Sequence, residues 1–256
     1  MSQAISDTLV LAKRNLIRIV RAPDLLTAFT IQPVMFVLLF VYVFGGAIQV
    51  PMIFEGYADF LIPGIVVQNI AFGGFATALG LSADLQQGLI DRFRSLPMAR
   101  SAVLAGRTIA DIATNLLSMS ILIGVGLLIG FEFNAPITHV LLGILLMIML
   151  GYAFSWVFAY IGMISSTPEA ANAFGFMTIF PLTFISSAFV PVESMPAALE
   201  AFANANPFTT AVDAMRHLWQ GAPANTDVWV AFLWTIGITI VFFFISTAKY
   251  KSATSK

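Results

Sequence analysis

Long apolar runs separated by short polar connections make up most of the chain. Roughly 20 apolar residues cross a bilayer as one helix. On that measure the pattern predicts spans near 28 to 48, 61 to 83, 102 to 130, 138 to 164, 170 to 191 and 228 to 248. The count of six depends on a break at STPEA, Ser166 to Ala170, because a fused fourth and fifth run would be far too long for a membrane. Pro168 supplies that break. The third run has about 29 residues, about 43 Å as a helix, so its first turns, with Arg107 and Asp111, are expected to project into the cytoplasm and to pair on one helix face.

Three weaker patterns frame these runs. At the N-terminus Ile5, Leu9, Leu16, Ile19 and Val20 fall on one side of a helical wheel, with Lys13, Arg14, Arg18 and Arg21 on the adjoining side and Pro23 as the stop. That pattern predicts a helix over 4 to 22 lying in the cytoplasmic interface; the plainer alternative is a leader that only orients the first span. Between the second and third runs, Leu85, Leu89, Phe93 and Leu96 recur at i, i+4, i+8 and i+11, an apolar stripe on a short helix over about 84 to 97 that Pro97 ends. Before the last run, residues 195 to 220 are too polar to span but carry apolar faces at Leu199, Phe202, Val212, Met215 and Trp219. Pro196 and Pro207 suit first-turn positions and Asn206 suits a cap, which predicts a helical hairpin that re-enters the outer leaflet or lies on it as a lid. The expected fold is one all-α integral membrane domain over residues 1 to 256.

Composition agrees with this class. Hydrophobic residues are 59% and charged residues 10%, with a mean hydropathy of +0.92, against about 25% charge in a soluble domain. The absence of cysteine excludes disulfides and thiolate chemistry. The N-terminus does not read as a signal peptide, because its cations follow its apolar residues.

Charge then sets the orientation. Lys13, Arg14, Arg18 and Arg21 precede the first span, Arg92, Arg94, Arg100 and Arg107 lie at the second connection, and Lys249, Lys251 and Lys256 follow the last span. The opposite side holds Glu55, Asp59, Glu132, Glu193, Glu200, Asp213 and Asp227 against Arg216 alone. The positive-inside rule therefore places both termini in the cytoplasm.

Several chemistries are disfavoured. No G-x-x-x-x-G-K-[ST] phosphate loop is present, so ATP-driven work needs another polypeptide. The central parts of the spans lack ionisable side chains, which argues against an ion-coupled carrier, although backbone carbonyls can bind sodium. His139 and His217 have no metal-ligand spacing around them, and no metal site is expected. Gln32, Gln68, Asn69, Asn115 and Asn172 are uncharged polar residues within the spans; they either bond helix to helix or line a path for an amphiphilic substrate. Gly126 with Gly130, and Gly74 with Ala78, have the small-xxx-small spacing of close helix packing.

The residues Gly88, Asp91, Phe93, Pro97, Arg100, Gly106 and Arg107, with LIPGIVVQNIAFGGFATALGLS in the second run, PLTFISSAFVPVESMP leaving the fifth and NPFTTAVDAMRHL before the last, resemble the ABC type-2 exporter permeases, most of all the actinobacterial daunorubicin-resistance type. Gln86 and Gln87 stand where many of those permeases carry an acidic and a basic residue. The resemblance implies that 84 to 97 is a coupling helix, with Leu89, Asp91, Arg92, Phe93, Arg94, Pro97 and Arg100 facing the ATPase and Gly106, Arg107 and Asp111 forming the hinge into the third span. It also implies an outer gate at the hairpin, assigned to Phe202, Phe208 and Met215. The implied partners are two copies of a cytosolic ABC ATPase, a second permease subunit, identical or homologous, and membrane lipids, with no nucleic acid. No cofactor belongs to this chain, ATP and Mg being bound by the ATPase. The implied function is export of a drug, polyketide or lipid across the bacterial plasma membrane. A permease for a lipid-linked polysaccharide and an ATP-independent carrier or channel remain alternatives.

Overall fold

The computed structural model describes residues 10, 12, 13, 17, 23–48, 50–87, 100–223 and 228–253. Among them every regular element is helical. The helices are α1 (Pro23–Leu39), which runs into a π turn at Phe40–Phe44, α2 (Tyr57–Phe72), α3 (Phe75–Gln86), α4 (Arg100–Leu128), α5 (Ile137–Ile164), α6 (Pro168–Phe184), α7 (Ala197–Ala205), α8 (Pro207–Gln220) and α9 (Val228–Ala253). The four described positions within 4 to 22 are helical as well.

Four stretches among the described residues are long and apolar enough to cross a membrane: Tyr57–Gln86, Ala105–Leu128, Ile137–Ile164 and Val228–Tyr250. The first and fifth expected spans are shorter. The fifth differs most, because α6 has 17 residues, about 26 Å, and stops at Phe184 rather than near 191. A helix end in an apolar stretch is tolerable only if the freed carbonyls find donors. Here they do: Asn206 Nδ2 donates to Leu182 O at 2.6 Å and to Ile185 O at 2.7 Å, and the Ser186 hydroxyl donates to Thr183 O at 2.6 Å.

The second expected span is two helices. Gly73 and Gly74 separate α2 from α3, and the Gly73 N–H is shared between Asn69 O and Ile70 O. The connection STPEA forms as expected: Thr167 caps α6, its Oγ1 accepting from Ala170 N at 3.1 Å, with Pro168 in the first turn.

The core is built around α5, which touches α2, α3, α4, α6, α8 and α9. Leu146, Met147, Ala153, Phe158 and Ala159 are fully buried. Lipid is as apolar as leucine, so close approach rather than water exclusion holds such helices together. Glycines on α5 provide it. A Cβ on Gly143 would lie 2.5 Å from Trp219 Nε1, one on Gly151 2.6 Å from Asn115 Nδ2, and one on Gly162 2.6 Å from Ala78 O. Ala78 thus packs helix to helix, and a Cβ on Gly74 would meet Phe158 at 2.5 Å. Gly130 does not act as a packing residue. Its φ of 98° places it just past α4 in the left-handed region, where Phe131 N donates to Gly126 O at 2.9 Å in a Schellman cap. At the other extreme α9 presents Trp229, Leu233, Ile240 and Phe244 outward.

Candidate functional site

Three regions gather the residues singled out by the sequence. The first is a cavity of about 260 Å³ bounded by α1, α2, α3 and α6. Phe36, Phe72, Phe75, Phe176, Phe180 and Phe184 form most of its wall, and Gln32, Gln68, Asn69 and Asn172 enter it. The rings support one another, with centroids 4.8 Å apart for Phe75 and Phe176 and 4.2 Å for Phe180 and Phe184. Pro33 on α1 lines this wall, and the Gly73–Gly74 break falls between two of its rings, Phe72 and Phe75. No lining residue is charged. The cavity can desolvate an apolar or aromatic body and offer amide hydrogen bonds to it, but it has no group for acid–base work.

Asn115, the fifth polar candidate, is elsewhere. It is buried where a Cβ on Gly73 would lie 1.8 Å from its Oδ1. Its Nδ2 has no hydrogen-bond partner. It fills the notch between the two halves of the second span and one glycine of α5.

The second region is where the end of α3 meets the start of α4. Arg107 and Asp111, expected to project into water, are instead buried, 7% and 3% exposed. Arg107 Nη2 is 2.6 Å from Asp84 Oδ2 on α3, and its Nη1 donates to Thr77 O at 3.2 Å. The Thr77 hydroxyl donates to Asp111 Oδ2 at 2.7 Å. A Cβ on Gly80 would lie 2.6 Å from Arg107 Nη1, so the guanidinium fits because position 80 has no side chain. The expected α4 hinge is thus a buried polar joint between α3 and α4. The reason is antiparallel geometry: residues ending one helix and residues opening the next come to the same depth. Asp84 and Thr77 were not singled out by the sequence, although an acid near the end of an apolar run, just ahead of a run that opens with arginine, is the signal that points to them. Gly106 is buried beside this joint. Gln86 Nε2 donates to Ser166 O at 2.8 Å and ties the end of α3 to the α5–α6 connection. Residues 84 to 86 of the expected 84-to-97 helix are the last turn of α3, which is capped at Gln87, and Arg100 opens α4. Leu89, Asp91, Arg92, Phe93, Arg94 and Pro97 lie outside the described residues.

The third region is the hairpin, α7 and α8. Asn206 caps α8, its Oδ1 accepting from Phe208 N at 3.0 Å, and Pro207 opens that helix as expected. Pro196 stands one place earlier, at the cap of α7. Phe208 and Met215 are buried, Phe208 packing on Phe154 with centroids 5.1 Å apart, whereas Phe202 is exposed. Gln220 Nε2 donates to Glu132 O at 2.7 Å and Asp59 Oδ1 at 3.3 Å, which fastens the end of α8 to the α4–α5 connection and to α2. Arg216, read from the sequence only as a lone outer cation, is buried. Burial lowers its guanidinium to about 10, opposed by the Asp213 carboxylate. Burial raises the Asp213 carboxyl above its ordinary range, opposed by Arg216. Among the described residues no group of three or more His, Asp or Glu could hold a metal.

Comparison with known proteins closes the question of kinship. The chain is 32% identical over 249 residues to the daunorubicin resistance ABC transporter permease protein DrrB1 of Streptomyces coeruleorubidus, covering 97% of this chain and 87% of that protein. It is 24% identical over 237 residues to the probable doxorubicin resistance ABC transporter permease protein DrrC of Mycobacterium tuberculosis, covering 93% and 85%. It is also 24% identical over 218 residues to the putative transport permease ycf38 of Cyanophora paradoxa, covering 84% and 75%. Residues 6–219 match the ABC-2 type transporter model, and the chain, an all-helical multi-pass membrane protein, belongs to that family.

Proposed function

We propose that this chain is the permease of an ATP-driven exporter that moves a hydrophobic or amphiphilic compound, such as a drug, polyketide or lipid, from the cytoplasm or inner leaflet to the outside. The carrying observation is the uncharged phenylalanine-walled cavity with Gln32, Gln68, Asn69 and Asn172 in it. A pocket of that chemistry suits a body that is apolar over most of its surface and hydrogen-bonds at a few points. A cavity of about 260 Å³ is at the small end for a drug-sized ligand, which fits a path completed by a second permease subunit. Family membership implies an ABC ATPase partner.

In this reading two ATPase copies, holding ATP and Mg, close on each other and push on residues 84 to 97. Arg92 and Arg94 contact the ATPase, Phe93 seats in an apolar pocket on it, and Pro97 and Arg100 set the angle into α4. The buried Arg107–Asp84 joint makes α3 and α4 answer together, and Phe208 and Met215 shape the outer exit. Charge asymmetry supports cytoplasmic termini in a bacterial plasma membrane. The test is reconstitution of the chain with candidate cytosolic ABC ATPases. Co-purification, hydrolysis stimulated by an amphiphilic compound and ATP-dependent accumulation in inverted vesicles are expected. Accumulation driven by an ion gradient without ATPase would replace this reading with the carrier alternative.

A further inference from the structure

The outer face carries a charged side chain whose contacts serve neither the cavity nor the α3–α4 joint. Arg216 Nε donates to Phe60 O on α2 at 3.0 Å. Its Nη2 donates to Ser187 O at 2.7 Å and Ala188 O at 3.4 Å, in the non-helical segment after α6. Its Nη1 meets Asp213 at 3.3 Å on its own helix, and its Cζ sits 3.5 Å from the centre of the Phe60 ring. One guanidinium therefore bridges three elements. The fit is close on the far side too, since a Cβ on Gly64 would lie 2.3 Å from Ala188 O.

We propose that Arg216 is a latch: it holds the hairpin helix α8 against α2 and the 185–191 segment, and the outer face opens when the guanidinium leaves those carbonyls for the polar cavity beside it. That cavity, about 450 Å³, is lined by Arg216 and Asp213 themselves together with Glu193, Asn204 and Thr209. It provides hydrogen-bond acceptors and room for a hydrated charge next to the closed position. Net stability is a weak reason to bury a cation here, because a buried pair often gains little over apolar packing while loss of one partner is costly. Such a group is suited to a choice between two satisfied positions, which is what a switching element requires. Trp219 in the Gly143 notch and Gln220 lie within one turn of Arg216 at the C-terminal end of α8, and Asn206 and Thr209 bond its N-terminal end to 182–187, so release at Arg216 parts α8 from α2 between two held ends.

The chain has no cysteine, so single reporters are unambiguous. Val192→Cys reports from the wall of the outer cavity, and Ser82→Cys from a fully buried site on α3. In lipid nanodiscs, the rate of modification by a charged methanethiosulfonate is measured at each reporter, with and without Arg216→Gln. The latch predicts a rise of about tenfold or more at position 192 with a change within about twofold at position 82. No rise at 192, or equal rises at both positions, overturns it, the second because Arg216 would then be a residue of global stability. If Arg216→Gln does not yield folded protein, Arg216→Lys, which keeps the charge but loses the fork, is read by the same two criteria. The assay uses neither ATPase nor substrate, so its outcome is independent of whether the chain exports anything.

Discussion

Arg107 and Asp84 illustrate what a single buried pair does in this chain. Their side chains are 9% and 10% exposed, so removal of one leaves the other with poor solvation. Asp84→Ala is expected to cost about 3–5 kcal/mol of stability, read as loss of monodisperse protein after graded heating in detergent. Pairing Asp84→Leu with Arg107→Met should cost less than the two single losses together, because neither partner is then left facing an empty place; a double variant as unstable as the sum of the singles contradicts the pairing. Gly80→Leu should act like Arg107→Met, since its side chain would occupy the guanidinium's place. The sequence showed Arg107 and Asp111 on one helix face but not their depth. Depth is set by Asp84 and Thr77, more than 20 residues away, and no local pattern carries that information. The amides were more legible: four of the five flagged reach one cavity, because a polar residue within a span has few places to go except inward. Asn115 departs from that pattern, drawn into the space that Gly73 and Gly151 leave open.

At the scale of elements, hydropathy located the long helices well and their ends less well. Apolar residues continue past Phe184 through FVPV, so the pattern runs on to 191, while the backbone leaves the helix. The exit is possible because Asn206 and Arg216, from later in the chain, satisfy the carbonyls there. Asn206→Ala should therefore lose a helix cap and two carbonyl partners together. It is expected to destabilise by about 1–3 kcal/mol and to speed proteolysis within 185–205 before the rest of the chain is attacked. The glycines separate into two kinds that a sequence alone does not distinguish. Gly162→Ala would press a Cβ to within 2.6 Å of the Ala78 backbone oxygen, forcing α3 away from α5, an overpacking loss of about 1–3 kcal/mol. Gly124 on α4 has nothing within 4 Å of its Cβ position, so Gly124→Ala should be neutral or raise stability by up to about 1 kcal/mol through helix propensity. Equal effects from the two would mean that α5 is not the helix on which the bundle packs.

For the whole molecule, the proposed function assigns motor contact, path and exit to different residues, which should therefore fail separately. In the proposed function the stripe of Leu85, Leu89, Phe93 and Leu96 in the sequence is the motor's handle, and the amide-bearing cavity lies between α1, α2, α3 and α6. In vesicles containing permease and ATPase, Phe93→Ala removes the proposed apolar anchor without touching the cavity. Hydrolysis should continue while export falls by about tenfold or more, the range of losing a buried aromatic contact at an interface, and the concentration of compound giving half-maximal stimulation should not move. Gln68→Leu removes one amide from the cavity without touching the handle. It should leave transport per ATP unchanged and shift that half-maximal concentration by about fivefold, roughly one hydrogen bond. The two variants together are informative in a way neither is alone: a shift in coupling from both would mean that the cavity belongs to the drive train, and a shift in compound affinity from both would mean that residues 84 to 97 touch the compound rather than the motor.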